Sequence, residues 1–411
     1  MTVLPAKSGL PGYALFGALL ASAGLPIYIH APKFYVDQYG VSLAALGAVL
    51  FALRMIDFVQ DPVLGWVTGR LQSSRRLWVG IAIAAMALAM VGLFAVTPLL
   101  PPLAWFALTL TVLFTAFSFL TINFYARGVQ KADELGPRGH IRLATWRETG
   151  ALVGVCIAAI APTVFAGFTG SPFAVFAAGF CGLALIAGFA MRREWSHVPP
   201  VGDGGFRQVL SDPIALRLLL IALVNATPVA VTSTLFLFFV ESRLAAPGLE
   251  GPLLLLFFAA AAGSAPIWGK LAERFGAKQS LLAGMVLSVV AFGFAATLGQ
   301  GDTAAFAVIC LASGAALGAD MTLLPAIFAT RMARIAPNAG QAFGLWSFVS
   351  KFTLAFAAVI LLPLLDYAGF QSGAQNPEAA LSMLTYLYAL LPCALKVVAI
   401  TLLAATPMER S

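Results

Sequence analysis

The stretch LWVGIAIAAMALAMVGLFAVT, residues 77–97, contains no charged side chain. Wound as an α-helix it would run about 30 Å, at roughly 1.5 Å per residue, the thickness of a bilayer's hydrocarbon core. A helix apolar on every face lies deep in a large core or spans a membrane. Its surroundings decide between the two. On one side Arg70, Arg75 and Arg76 crowd together; on the other, Pro98 to Pro101 leads straight into a second apolar block. The same alternation runs along the whole chain, with blocks at 12–32, 42–69, 77–97, 102–125, 144–167, 172–191, 214–240, 252–272, 279–299, 304–329, 341–365 and 381–405. Joints such as 97–102 and 167–172 are too short to hold a domain. The prediction is an all-α integral membrane protein with twelve transmembrane helices.

Composition points the same way. Of 411 residues, 61% are hydrophobic and 10% charged, where a soluble domain carries about a quarter charged. Such a chain has too little polar surface to cover a soluble globule, so the lipid bilayer is its first partner. The formal charge of +7 does not imply nucleic acid, because the cations sit in short joints rather than along one face or tail. Cys156, Cys181, Cys310 and Cys393 lie inside apolar blocks without metal-type spacing and read as packing residues. The N-terminus has a single Lys7 and no small-residue cleavage site, so the first block is expected to stay as a span.

An even number of spans puts both termini on one side. On that side fall Arg70, Arg75, Arg76, Arg127, Lys131, Arg138, Arg142, Arg192, Arg193, Lys270, Arg274, Lys278, Arg331 and Arg334. The opposite joints hold only Lys33 and Arg243, with acids such as Asp37, Glu250, Asp302 and Glu378. The positive-inside rule makes the basic side cytoplasmic, for a multi-pass protein of the cell's inner (plasma) membrane.

The longest basic-side joint contains Pro199, Pro200, Gly202, Gly204 and Gly205. That composition divides the chain into a six-helix bundle at 1–192, a cytoplasmic linker at 193–213 and a second bundle at 214–411. Internal matches support related halves. Pro62-x-x-Gly65-x4-Arg70 recurs as Pro266-x-x-Gly269-x4-Arg274, an offset of 204 shared by Arg127 and Arg331, and Trp146 pairs with Trp346 at 200. Two pseudo-symmetric six-helix halves around a midplane cavity describe a rocking solute transporter.

Charges inside spans are costly and mark function by default. The second span holds the densest set, Arg54-Met55-Ile56-Asp57-Phe58-Val59-Gln60-Asp61-Pro62. Asp57 and Asp61 are one turn apart on one face, with Arg54 on the same stripe. Pro62 frees the carbonyl of Phe58. Two carboxylates, the Gln60 amide and a free carbonyl make an oxygen-rich place for a cation, and mutual repulsion favours a proton on one of the acids. The bland alternative is a salt-bridge cluster at the rim, but Asp61 lies roughly 13 Å from Arg70. Lys351 in the eleventh span lies at a similar depth, roughly 15 Å from Gln341, and these carboxylates are its expected partners.

Arg147 and Glu148 open the fifth span as a gate or as an interfacial anchor, with Trp146 beside them. Lys396 near the end of the last span is expected to snorkel. Asp320 in the tenth span reads as a cavity residue or as one satisfied by a neighbouring helix. Tyr28 and His30, Ser118, Thr121 and Asn123, and Asn225 and Thr227 are mid-span polar groups that either touch solute or bond neighbouring helices. Trp346 could stack on a ring or fill space.

Arg54-x-x-Asp57-x3-Asp61-Pro62-x-x-Gly65-Trp66 resembles the second-span signature of the glycoside–pentoside–hexuronide:cation symporters, the melibiose-permease-like branch of the major facilitator superfamily. Trp146-Arg147, Phe348-Val349-Ser350-Lys351 and Leu391-Pro392-x-x-Leu395-Lys396 are similar too. The resemblance implies the twelve-helix major facilitator fold with a central cavity. It also implies that Asp57 and Asp61 hold a coupling Na+ or H+, that Lys351 interacts with them, and that Arg147 is the family's fifth-span arginine; Gln60 and Ser118 are expected beside the two acids at the cation-coupling site. In sugar-transporting members the first and fourth spans each supply an acid, whereas Leu19 and Thr121 stand here; Gln60 replaces an asparagine that helps bind Na+ in some members. A sugar is therefore not implied, and Pro26-Ile27-Tyr28-Ile29-His30 suggests an anionic or amphipathic cargo.

The reading is a monomeric, cation-coupled symporter of a small organic solute that needs no cofactor beyond H+ or Na+. Proton-linked export of a drug-like or lipid-like compound is the alternative. An integral-membrane enzyme is disfavoured, because His30, His140 and His197 stand in separate segments without a nucleophile or metal spacing.

Overall fold

The computed structural model describes residues 9–196, 206–335, 339–371 and 376–407; a few side chains inside helices, Tyr28 among them, lie outside that description. Among the described residues the regular structure is entirely helical. The first crossing is broken into α1 (Leu10–Ser22) and α2 (Leu25–Tyr39). Gly24 and Pro26 explain the break, since Pro at the start of α2 cannot donate back into α1. Then come α3 (Leu43–Arg70), α4 (Arg75–Phe94), α5 (Pro102–Glu134), α6 (Gly139–Ala166) and α7 (Pro172–Met191). A short α8 (Phe206–Ser211) precedes α9 (Pro213–Phe238), α10 (Glu250–Phe275), α11 (Ala277–Ala295), α12 (Thr303–Ile335) and α13 (Ala339–Tyr367). The last crossing is α14 (Glu378–Thr385), a π-helical turn at Tyr386–Leu390, and α15 (Leu391–Ala405).

Nine of these, among the described residues, are long and apolar enough to cross a membrane on length and composition alone. The paired α1–α2, the charge-bearing α3 and α13 account for the other crossings. Two crossings outrun the apolar blocks: α5 continues to Glu134 and α12 to Ile335. Hydropathy marks only the part of a helix inside lipid; the charged last turns of both helices stay helical in water. The prolines and glycines expected to form the linker, including Pro199, Pro200 and Gly202, lie outside the described residues.

The chain divides into two compact units, Met1–Val209 with Met332–Phe348, and Leu210–Arg331 with Val349–Ser411. In the first, α1 packs on α6 with backbone nearly touching backbone. A Cβ on Gly150 would meet the Ala14 carbonyl at 2.1 Å, and one on Gly154 the Ala18 carbonyl at 2.5 Å. This is the small-residue packing that replaces the hydrophobic effect between helices in lipid. Buried Tyr13, Phe16, Phe124 and Trp195 fill the interior nearby. In the second unit Phe239 stacks on Tyr388 at 4.2 Å, beside Phe306. Large apolar side chains such as Leu88, Leu185, Phe189 and Val308 point outward, as a lipid-facing surface requires.

Candidate functional site

In the first unit the site is built on α3. Ser42 caps that helix by accepting from the Ala45 amide at 3.2 Å, and Pro62 interrupts its ladder at the level of the acids. Asp57 is 4% exposed and Asp61 fully buried, so water does not screen them. Both find neutral donors. Gln60 Nε2 donates to Asp57 Oδ1 at 2.6 Å, and Thr115 Oγ1 of α5 donates to Gln60 Oε1 at 3.1 Å. Ser118, one turn on from Thr115, is also fully buried. Arg54 is half-buried on the same helix.

Asp61 receives a bond from the start of α13. Ser347 Oγ donates to Asp61 Oδ2 at 2.5 Å. Glycines bring the two helices together: a Cβ on Gly65 would meet the Gly340 carbonyl at 3.0 Å, and one on Gly344 the Asp61 carbonyl at 3.0 Å. Ser347 follows Gly344 by three residues and so shares its face. Thr115 and Ser347 were not foreseen; the available signal was Gly340-x3-Gly344, the close-packing pattern with a hydroxyl one turn beyond. Trp346 is half-buried beside Ser347, and Lys351 belongs to the second unit, half-buried on α13.

Other expected residues of the first unit fall into separate arrangements. Arg147 is buried, donates from Nε to Glu148 Oε1 at 2.7 Å, and lies 3.7 Å over the Tyr125 ring. Tyr125 donates its hydroxyl to the same carboxylate oxygen at 2.8 Å. Arg147 Nη2 has no hydrogen-bond partner. An interfacial anchor would be exposed; this is a buried ion pair clamped by an aromatic ring. Asn123 donates to Thr68 Oγ1 at 3.1 Å and ties α5 to α3, while the buried Thr121 hydroxyl lacks a partner. The His30 ring nitrogen Nε2 sits 2.9 Å from the Ala159 carbonyl, edge-on to Phe173. The Tyr28 side chain lies outside the described residues. Leu19 is fully buried in the apolar core.

The second unit contains a set that sequence reading divided wrongly. Lys396 does not snorkel. It is 2% exposed, donates to Asn225 Oδ1 at 2.7 Å, and forms an ion pair with Asp320 Oδ2. The partners come from α9, α12 and α15, so proximity to the helix end misled where three-dimensional neighbours decide. A buried ammonium is tolerable only with such partners. Asp320 Oδ1 has no hydrogen-bond partner. Thr227 donates back to the Leu223 carbonyl of its own helix.

The basic ends carry a second layer of charge. Arg127 Nη2 donates to Glu134 at 2.9 Å and to Glu194 at 2.8 Å, with Lys131 also on Glu194 at 3.1 Å. Arg331, its counterpart in the repeat, grips Asp212 with both Nε and Nη2. Asp212 also caps α9, accepting from the Ala215 amide at 2.7 Å. The Arg331 guanidinium and that cap hold the Asp212 carboxyl below the usual carboxylate range. Among the described residues no three His, Cys, Asp or Glu side chains gather as a metal site.

A family profile described as MFS/sugar transport protein matches residues 10–410. No curated protein matches the chain in sequence. Among solved structures, the chain is similar to a bacterial homologue of the iron transporter ferroportin in its outward-facing state with soaked iron. The TM-score is 0.71 at 15% identity, covering 96% of this chain and 98% of that one. A second structure of a bacterial ferroportin homologue, also outward-facing, gives 0.68 at 16% identity, with 96% and 98% covered. At such identities the likeness is one of fold alone.

Proposed function

The chain belongs to the MFS/sugar transport protein family, and on that premise we propose that it is a cation-coupled symporter of a small organic solute. It is a multi-pass secondary transporter, not an enzyme. Within the superfamily we place it nearest the melibiose-permease-like branch, on the strength of the α3 motif. One observation carries the coupling reading. Two buried carboxylates one turn apart are supplied with neutral amide and hydroxyl groups from α3, α5 and the start of α13. These bonds gather an amide and two hydroxyls around the negative charge that the two acids carry when ionised. A proton or Na+ arriving at Asp57 and Asp61 is stabilised by that charge, and Gln60, Thr115 and Ser347 can turn their oxygens towards it.

Coupling then follows from linkage. If ion and solute both favour the same closed state, each raises the other's affinity by the same factor. Alternating access carries the two across together. Lys351, at matching depth in the eleventh span, is proposed as the charge that answers the acids when the ion has left. The protein is proposed to work as a monomer in the inner membrane with both termini cytoplasmic.

The experiment is a thermal-shift screen of purified protein against sugars, organic acids and lysolipids, with and without Na+ and across pH. A ligand at a hundred times its Kd stabilises the fold by about 2.7 kcal/mol. Uptake of the hit into proteoliposomes under an imposed ion gradient follows. Everted and right-side-out vesicles fix its direction. Uptake indifferent to H+ and Na+ gradients overturns symport.

A further inference from the structure

We propose that Asp320, Lys396 and Asn225 form a second proton-binding site, inside the second unit and independent of Asp57 and Asp61. The pair lines a small cavity of about 20 Å³. That is room for one water, which needs roughly 10–15 Å³, and far from the roughly 300 Å³ at which organic-ligand pockets begin. Size excludes a solute. Charge excludes the simple ions: Lys396 already holds the place of a cation against Asp320 Oδ2, and the carboxylate repels an anion. A proton, delivered by water, meets neither objection.

The geometry also says where it goes. Asp320 is 8% exposed, and its Oδ1 is a buried carboxylate oxygen with no hydrogen-bond partner. An unsatisfied buried acceptor costs about 1–3 kcal/mol, a cost that protonation of this oxygen removes once the new O–H finds a water. Facing the pair are Asn225 and Thr232 from α9, Phe257 from α10, Ser288 from α11, Ser313 from α12 and Cys393 from α15. Cys393 is the one other titratable group among them, and its thiol is directed to the Val289 carbonyl at 3.5 Å. Thr232 and Ser313 donate to the backbone carbonyls of Pro228 and Ile309, which leaves their oxygens able to accept from a water in the cavity.

The step balances simply. A hydronium in the cavity gives its proton to Asp320 Oδ1; an O–H bond forms and water remains. The carboxylate loses its charge, while Lys396 keeps its proton and its bond to Asn225 Oδ1. The site passes from neutral to one positive charge, and the ion pair joining α12 to α15 is released. Two helices of the second unit are thereby uncoupled by acid.

Infrared difference spectroscopy on the full chain in lipid bilayers tests this without any solute, so its outcome is separate from that of the symport reading. The D57N/D61N chain serves as background, silencing the two acids of α3 and leaving Glu148 as the first unit's buried carboxylate. On acidification a buried-carboxyl C=O band should grow, and D320N added to that background should remove the intensity of one group from it. The K396Q chain should show the band already at neutral pH. A spectrum unchanged by D320N at every pH overturns the proposal. If D320N does not fold, the D57N/D61N chain is labelled with aspartate carrying carbon-13 in its side-chain carboxyl, which moves an aspartic acid C=O band and leaves that of Glu148 in place. A labelled buried band that needs acid in this chain and stands at neutral pH once K396Q is added supports the site; a labelled spectrum unaffected by K396Q at every pH refutes it.

Discussion

The two units solve the problem of a buried carboxylate in opposite ways. In the first, Asp57 receives a bond from the Gln60 amide and Asp61 one from the Ser347 hydroxyl. In the second, Asp320 is met by the ammonium of Lys396, which is itself anchored on Asn225. On the proposed reading the first arrangement takes up a mobile cation; the second contains a tethered one. The two sites stand at places the sequence repeat does not pair, since the offset of 204 takes Asp57 and Asp61 to Ala261 and Ala265. On the proposed reading, the coupling ion belongs to the first unit and the second exchanges only a proton.

The largest effect should come from removing the first unit's charge. D57N or D61N should abolish ion-driven uptake while the protein remains monodisperse and folded in detergent. Full ion-dependent uptake in both variants would break the comparison at its root. Next is K396M, which leaves Asp320 buried and uncompensated. Loss of one partner of a buried ion pair costs about 3–5 kcal/mol, and thermal unfolding should show it, with the D320N/K396M double variant recovering most. An S347A variant should lose less, about 1–3 kcal/mol, because only a hydroxyl is withdrawn from Asp61. Equal losses in S347A and K396M would mean that the two sites do not differ as described.

The smallest effect is one of pH at the basic end. Asp212 is held below the usual carboxylate range by Arg331. Its contribution is complete above the unfolded value of about 3.9 and is lost as pH falls through the lower folded value. Partly exposed, the pair is worth about 1 kcal/mol. D212N, in which the amide still caps α9, should flatten the acid limb of unfolding midpoint against pH and leave the neutral midpoint nearly unchanged.

Much of this was legible in the chain, and the rest was not for identifiable reasons. Residues 77–97 must span because nothing else hides such a stretch, and α4, Arg75–Phe94, covers all but their last three. Asp57 and Asp61 were visible because acids stand out in an apolar block. The break between α1 and α2 was hidden, since Pro26 is equally at home inside a kinked span. Thr115 and Ser347 were hidden because hydroxyls are common in apolar helices and most bond their own backbone, as Thr111 does to Ala107. Lys396 misled because position along one helix cannot show that Asn225 and Asp320 stand beside it. The α1–α6 contact was written in Gly150 and Gly154 but became meaningful only once their partner was known.

The central claim is that Asp57 and Asp61 bind the ion that drives transport. Its most direct test measures solute-induced thermal stabilisation of the purified protein as a function of Na+ and of pH, in the native chain and in the D57N/D61N variant. The account predicts that one of the two ions strengthens the stabilisation in the native chain, and that the variant loses this dependence. An ion dependence that survives unchanged in D57N/D61N would contradict it.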